Sequence, residues 1–115
     1  MIIAVVEIPP NGKMKDRAAT VAQARESASK IYRDVEGLVR KHYLTSENGG
    51  GGIYFFENRE KAEAWFHDGW ADWMEGRFGV RPTLRLYENY LTLDNAAGEI
   101  FVDGKPTASR PEAAE

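Results

Sequence analysis

The chain switches between two hydrophobic periods. Ile2–Ile8 reads IIAVVEI, a short run dominated by β-branched residues. Its length and composition predict a mostly buried strand. Pro9-Pro10-Asn11-Gly12 ends that strand, because proline has no N–H for a ladder and Asn-Gly favours a turn. Lys15 to Arg33 is rich in Ala, Arg, Glu, Lys and Gln, all good helix formers. Ala18, Val21, Ala22, Ala28 and Ile31 form a thin, Ala-rich stripe along it, which predicts a helix lying close against a sheet. Gly37 restarts the chain. Leu38–Glu47, LVRKHYLTSE, is the second predicted strand, and Asn48 with Gly49–Gly52 reads as a flexible turn. Ile53–Glu57, IYFFE, is the third strand and closes an antiparallel hairpin.

Asn58 is a good N-cap, and Glu60 falls in a first turn where the helix dipole favours an acid. The helical pattern runs from there to Gly76 with a break at Asp68-Gly69, and Arg81-Pro82 closes the region. Thr83–Leu93, TLRLYENYLTL, is the fourth strand, and Ile100–Val102 is a small extra one. The predicted order, β-α-β-β-α-β, matches the ferredoxin-like motif: an α+β fold with a four-stranded antiparallel sheet and two helices on one face. Residues 1–103 form this domain, and 104–115, with two prolines and several alanines, reads as a flexible C-terminal tail.

A sheet covered on one side only should alternate apolar with polar. These strands do not. Ile3 and Val5 oppose Ile2, Ala4, Val6 and Ile8; Ile53 and Phe55 oppose Tyr54 and Phe56; Leu84 and Leu86 oppose Arg85 and Tyr87. Both faces need cover. The simplest cover for the helix-free face is a second copy of the same sheet, which makes a homodimer, a dimeric α+β barrel.

Composition narrows the function classes. The 115 residues, 43% apolar and 29% charged, suit one globular domain. The net charge of −3 argues against a nucleic-acid partner. There is no run of about 18 apolar residues to cross a membrane, and Met1–Ile8 lacks a basic region that would start a signal peptide, so a cytoplasmic location is the default. Cys is absent, which removes thiol nucleophiles, disulfides and Cys-ligated metals. The two histidines, His42 and His67, show no metal-ligand spacing, so no metal is expected. Gly49–Gly52 lacks the Gly-Lys-Ser/Thr ending of a phosphate loop, and neither GxGxxG nor GxSxG occurs.

Glu36-Gly37-Leu38-Val39-Arg40-Lys41, then Gly51-Gly52-Ile53-Tyr54-Phe55-Phe56-Glu57, then Asn58-Arg59-Glu60-Lys61-Ala62-Glu63-Ala64-Trp65 together resemble the YdhR-like monooxygenases of the dimeric α+β barrel superfamily. The resemblance covers Ile2 to Glu88, and the GGIYFFE hairpin with the helix after it is its most specific part. It implies a homodimer and an oxidoreductase acting on a small aromatic or phenolic compound. It permits oxygenation without a cofactor, in which the substrate gives its electrons to O₂ and the protein supplies a dry pocket, a base and oxyanion donors. No cofactor is therefore expected, with an external haem or flavin left open. An isomerase or lyase on the same scaffold, and a non-catalytic ligand-binding or stress-response dimer, are the alternatives.

The residues offer seven candidates for such a site, each with a purely structural alternative. His67 is the first choice for proton transfer, with Glu63 one turn earlier to orient it; otherwise it is a boundary His. Trp65 and Trp70 would wall a pocket between helix and sheet; otherwise Trp65 packs the core with Phe66 and Trp73, while Trp70 follows a neighbouring stripe with His67 and Met74. Tyr54 would donate to a developing oxyanion, and Arg85 would guide an anionic group or make an interface ion pair. His42, alternating with Leu38, Arg40 and Leu44, would line a cavity or the interface, and Tyr87 adds a further phenol.

Overall fold

The computed structural model describes Met1–Thr107. Its first sheet has four antiparallel strands, β1 (Ile2–Ile8), β2 (Leu38–Ser46), β3 (Gly49–Phe56) and β4 (Thr83–Glu88), in the order β2-β3-β1-β4. Three helices accompany it: α1 (Arg17–Lys30), α2 (Arg59–Trp65) and α3 (Trp70–Phe78). A second, three-stranded antiparallel sheet follows, made of β5 (Leu91–Asp94), β6 (Glu99–Val102) and β7 (Lys105–Pro106). The architecture is α+β. Among the described residues no helix is long and apolar enough to cross a membrane.

The core sits on one face of the first sheet. Ile2, Ala4 and Val6 of β1 and Tyr54 and Phe56 of β3 are buried there beneath Ala62, Trp70 and Met74 of the helices. Leu84 and Leu86 of β4, which pair with Val6 and Ala4, join the same face. The opposite face carries Ile3, Val5, Ile53 and Phe55 in its middle, half-buried, with Tyr87 and Leu44 exposed at its margins.

The caps follow the predicted chemistry. The Asn58 side chain accepts from the Lys61 N–H at 2.9 Å and starts α2; Asp16 does the same for α1 through Ala19 at 2.8 Å. The predicted break is present, and α2 ends at Trp65. The His67 carbonyl accepts from the Trp70 N–H, and His67 Nδ1 accepts from the Gly69 N–H, which closes the connection into α3.

Several expectations are corrected. Gly49–Gly52 is not a turn: it is the first half of β3, and the turn is Glu47-Asn48. Gly51 pairs with Glu7 on one side and Leu44 on the other, at φ 142°, and a Cβ there would collide with the Val6 carbonyl oxygen. Only glycine fits between two backbones at that approach. Leu38 does not share a face with His42, because a bulge between Leu38 and Arg40 shifts the register and sends Leu38 to the core. The strand expected over Thr83–Leu93 divides at Asn89-Tyr90, where the Asn89 N–H bonds the Met1 carbonyl and the chain leaves the first sheet. Of the expected flexible tail 104–115, Lys105–Pro106 pairs with β6 and the Thr107 N–H bonds the Ile100 carbonyl; 108–115 lie outside the described residues. The expected helix Lys15–Arg33 is shorter and ends in a separate 3-10 turn, Tyr32–Asp34. No residue of α1 is buried, so the Ala-rich helix does not press on the sheet as expected. Trp73, expected in the core, is 40% exposed.

Candidate functional site

Because α1 stands off the sheet, a cleft of about 370 Å³ opens beneath it. Its floor is sheet: Val6, Ile8, Lys41, Tyr43, Tyr54 and the glycines of early β3. Its walls are α1, at Thr20, Gln23, Ala24 and Ser27, and α3, at Met74, Arg77 and Phe78. The glycine run makes room for this floor. Gly52 sits on the helix side, opposite Tyr43 and Val6, and a Cβ there would press on Lys41 Cε and the Tyr54 ring at 3.1 and 3.3 Å.

Lys41 is the residue that sets the chemistry of the cleft. Strand pairing places it directly opposite Tyr54, on the helix side. Its Nζ lies 3.3 Å from the ring centre of Tyr32, 4.1 Å from Tyr43 and 4.5 Å from Tyr54. Among the described residues it has no ion-pair or hydrogen-bond partner. Burial away from water, and secondarily the charge of Arg77, push its pKa down to about 7. The ring faces pull the other way, since a π-face attracts a cation.

The phenols form a connected set. The Tyr54 hydroxyl donates to Tyr32 at 3.5 Å, a long bond, and Tyr43 shares a proton with Ser27 Oγ at 2.8 Å. Tyr32 meets Tyr43 and Tyr54 edge-on, at 6.3 and 5.8 Å between centres. Burial raises the Tyr54 pKa far above the usual phenol range, with Tyr32 adding to the rise, and burial also raises Tyr43. Both phenols are therefore protonated donors at neutral pH. Arg77 has only a 3.8 Å approach to Met74 Sδ and aromatic neighbours in Trp73 and Phe78, and no carboxylate among the described residues.

The seven residues expected to share one site are spread over four places. Tyr54 lines the cleft. Trp65 and Trp70 lie in the aromatic core beside it: Trp65 meets Tyr32 at 5.6 Å, and Trp70 meets Phe66 at 5.0 Å. Both indole N–H groups are buried without a partner. His42, Arg85 and Tyr87 lie on the opposite face of the sheet, which is fixed by their pairing with Ile53, Val5 and Ile3. There His42 packs edge-on against Phe55 at 5.7 Å, and Arg40 covers the same ring. His67 is exposed in the connection between α2 and α3 and does not line the cleft. The expected Glu63–His67 pair does not form, because α2 ends before His67 and Glu63 pairs with Arg59.

Lys41, Tyr32 and Arg77 were not singled out by the sequence. For Lys41 a signal existed. It alternates with Tyr43 and so shares its face, and a two-residue turn at Glu47-Asn48 brings it opposite Tyr54. Reading the glycines as the turn hid that register. Among the described residues no group of three or more His, Asp or Glu side chains is placed to hold a metal ion. No family model matches the chain, and no curated protein is similar to it.

Proposed function

We propose that the protein is a small-molecule enzyme of the kind the YdhR-like resemblance implies, a monooxygenase acting on a phenolic or other small aromatic compound in the cleft beneath α1. The observation that carries this reading is an unpaired amine, Lys41, held near neutrality among three phenol rings on the cleft floor. Such an amine takes the proton of a bound phenol, and the Tyr32, Tyr43 and Tyr54 hydroxyls are the available donors to the resulting phenolate. The phenolate is the electron-rich species that O₂ oxidises. One oxygen atom enters the ring carbon as a carbonyl and the other leaves as water, so a phenol and O₂ give a quinone and water with every electron drawn from the substrate. Lys41 thus takes the base role first assigned to His67, and Tyr54 keeps its own.

The strand order β2-β3-β1-β4 supports the ferredoxin-like reading, with α2 and α3 acting as one interrupted second helix. The half-buried Ile3, Val5, Ile53 and Phe55 on the helix-free face support a homodimer that pairs these faces. His42, Arg85 and Tyr87 then belong to the interface. The test is oxygen uptake over a panel of hydroquinones and phenols. Uptake that drops in Lys41→Met and Tyr54→Phe supports the reading. Conversion of substrate without uptake transfers the site to isomerase or lyase chemistry, and no turnover at all overturns it.

A further inference from the structure

The cleft carries a charge imbalance that its neighbours do not correct. Lys41 on β2 and Arg77 on α3 both line it, and neither meets a carboxylate among the described residues. Arg77 lies close enough to depress Lys41 by repulsion. The other groups facing Lys41 are the rings of Tyr32, Tyr43 and Tyr54, none of them a carboxylate, and burial raises the Tyr43 and Tyr54 phenols, so these two add no countercharge at neutral pH. At the cleft mouth Lys13 and Lys15 outnumber Glu47. Four cations of this net acidic chain pair with carboxylates, Lys30 with Glu26, Arg59 with Glu63 and Glu88, Lys61 with Glu36, and Arg81 with Asp72 and Glu75; among the described lysines and arginines without one, Lys41 is set apart by being half-buried rather than exposed. Half-buried Lys41 and exposed Arg77, both lining this aromatic-floored cleft and both without a carboxylate partner among the described residues, form a place for an anion with an apolar body.

We propose that the cleft selects aryl carboxylates over neutral aromatic compounds, with the carboxylate between Lys41 and Arg77 and the ring against the tyrosine floor. This deepens the reading of the cleft as the substrate site and rests on that placement, but not on oxygenation. The carboxylate supplies the countercharge that no described side chain gives Lys41 or Arg77. When it binds, Lys41 is stabilised as an ammonium, so binding above neutral pH takes up a proton, and affinity falls as pH rises.

The test is calorimetric titration with 1-naphthoate and its neutral isostere 1-naphthamide, at low and constant ionic strength. The expected result is at least about tenfold tighter binding of the naphthoate, a gap of about 1.4 kcal/mol. In buffers of different ionisation enthalpy near pH 8, naphthoate binding takes up a proton and naphthamide binding takes up none. Lys41→Met and Arg77→Met each remove most of the naphthoate-over-naphthamide ratio, and circular dichroism confirms that each is folded. The proton-uptake measurement uses the wild-type protein alone, so it decides the matter even if a variant misfolds. Equal affinity for the two ligands, or naphthoate binding with no proton uptake, overturns this proposal and leaves the oxygenase reading standing. Binding of neither ligand overturns both.

Discussion

Lys41→Met should stabilise the protein at neutral pH, and the gain should shrink as pH rises. Lys41 has a folded-state pKa near 7, lowered first by burial and then by Arg77, against an ordinary value of 10.5 in an unfolded chain. Below pH 7 both states bind the proton, and the folded state bears the full cost of a poorly solvated ammonium. Between pH 7 and 10.5 the unfolded chain binds more protons than the folded one, so wild-type stability rises with pH. From about pH 6.5 to about pH 9.5 that rise amounts to about 3 kcal/mol. Attraction of the ammonium to the Tyr32, Tyr43 and Tyr54 rings makes this a ceiling, since each ring face is worth about 0.5–2 kcal/mol. Methionine matches the lysine stem and has no charge to solvate, so Lys41→Met lacks this slope. The assay is urea unfolding followed by tryptophan fluorescence across that pH range, comparing the two proteins at each pH. The difference between them isolates Lys41 from every other titrating group. A difference that stays constant within about 0.5 kcal/mol would refute an amine held near neutrality.

Further outcomes follow from other parts of the fold. Tyr54→Phe should change stability by no more than about 1 kcal/mol, because its hydroxyl makes one long bond to Tyr32; a large drop in oxygen uptake at unchanged melting temperature would then mark a role in chemistry. Gly51→Ala should cost more than about 2 kcal/mol in urea unfolding, since the new Cβ meets the Val6 carbonyl and the φ of 142° is a glycine conformation. Phe55→Glu, on the helix-free face, should yield a folded monomer in sedimentation while the wild type sediments as a dimer at micromolar concentration; a monomeric wild type removes the interface. His67→Asn should leave oxygen uptake within twofold of wild type, about 0.4 kcal/mol, because His67 lies outside the cleft and its side chain bonds only the Gly69 N–H among the described residues; loss of activity would return it to the site.

The parts of this fold legible in the sequence are those fixed by local chemistry. Asn58 caps a helix because its carboxamide reaches the Lys61 N–H, whatever lies elsewhere in the chain. The two faces of β1, β3 and β4 follow from strict alternation. What was hidden depends on register and on the approach of distant backbones. Four consecutive glycines look like a turn to local reasoning, because each is free to bend. They form a strand because β1 and β2 flank β3 on both sides, and that contact is long-range. The bulge at Leu38 has no local mark either, and it decides which face each later residue of β2 occupies. With the turn at Glu47-Asn48, a charged residue that looks like an ordinary exposed strand lysine becomes the partner of Tyr54, under a helix that stands off the sheet. Gly52 and the lysine belong together: the side chain absent at Gly52 leaves the space that the Lys41 stem and the Tyr54 ring occupy, while Gly49, Gly50 and Gly51 let β3 pass close to the backbones of β1 and β2.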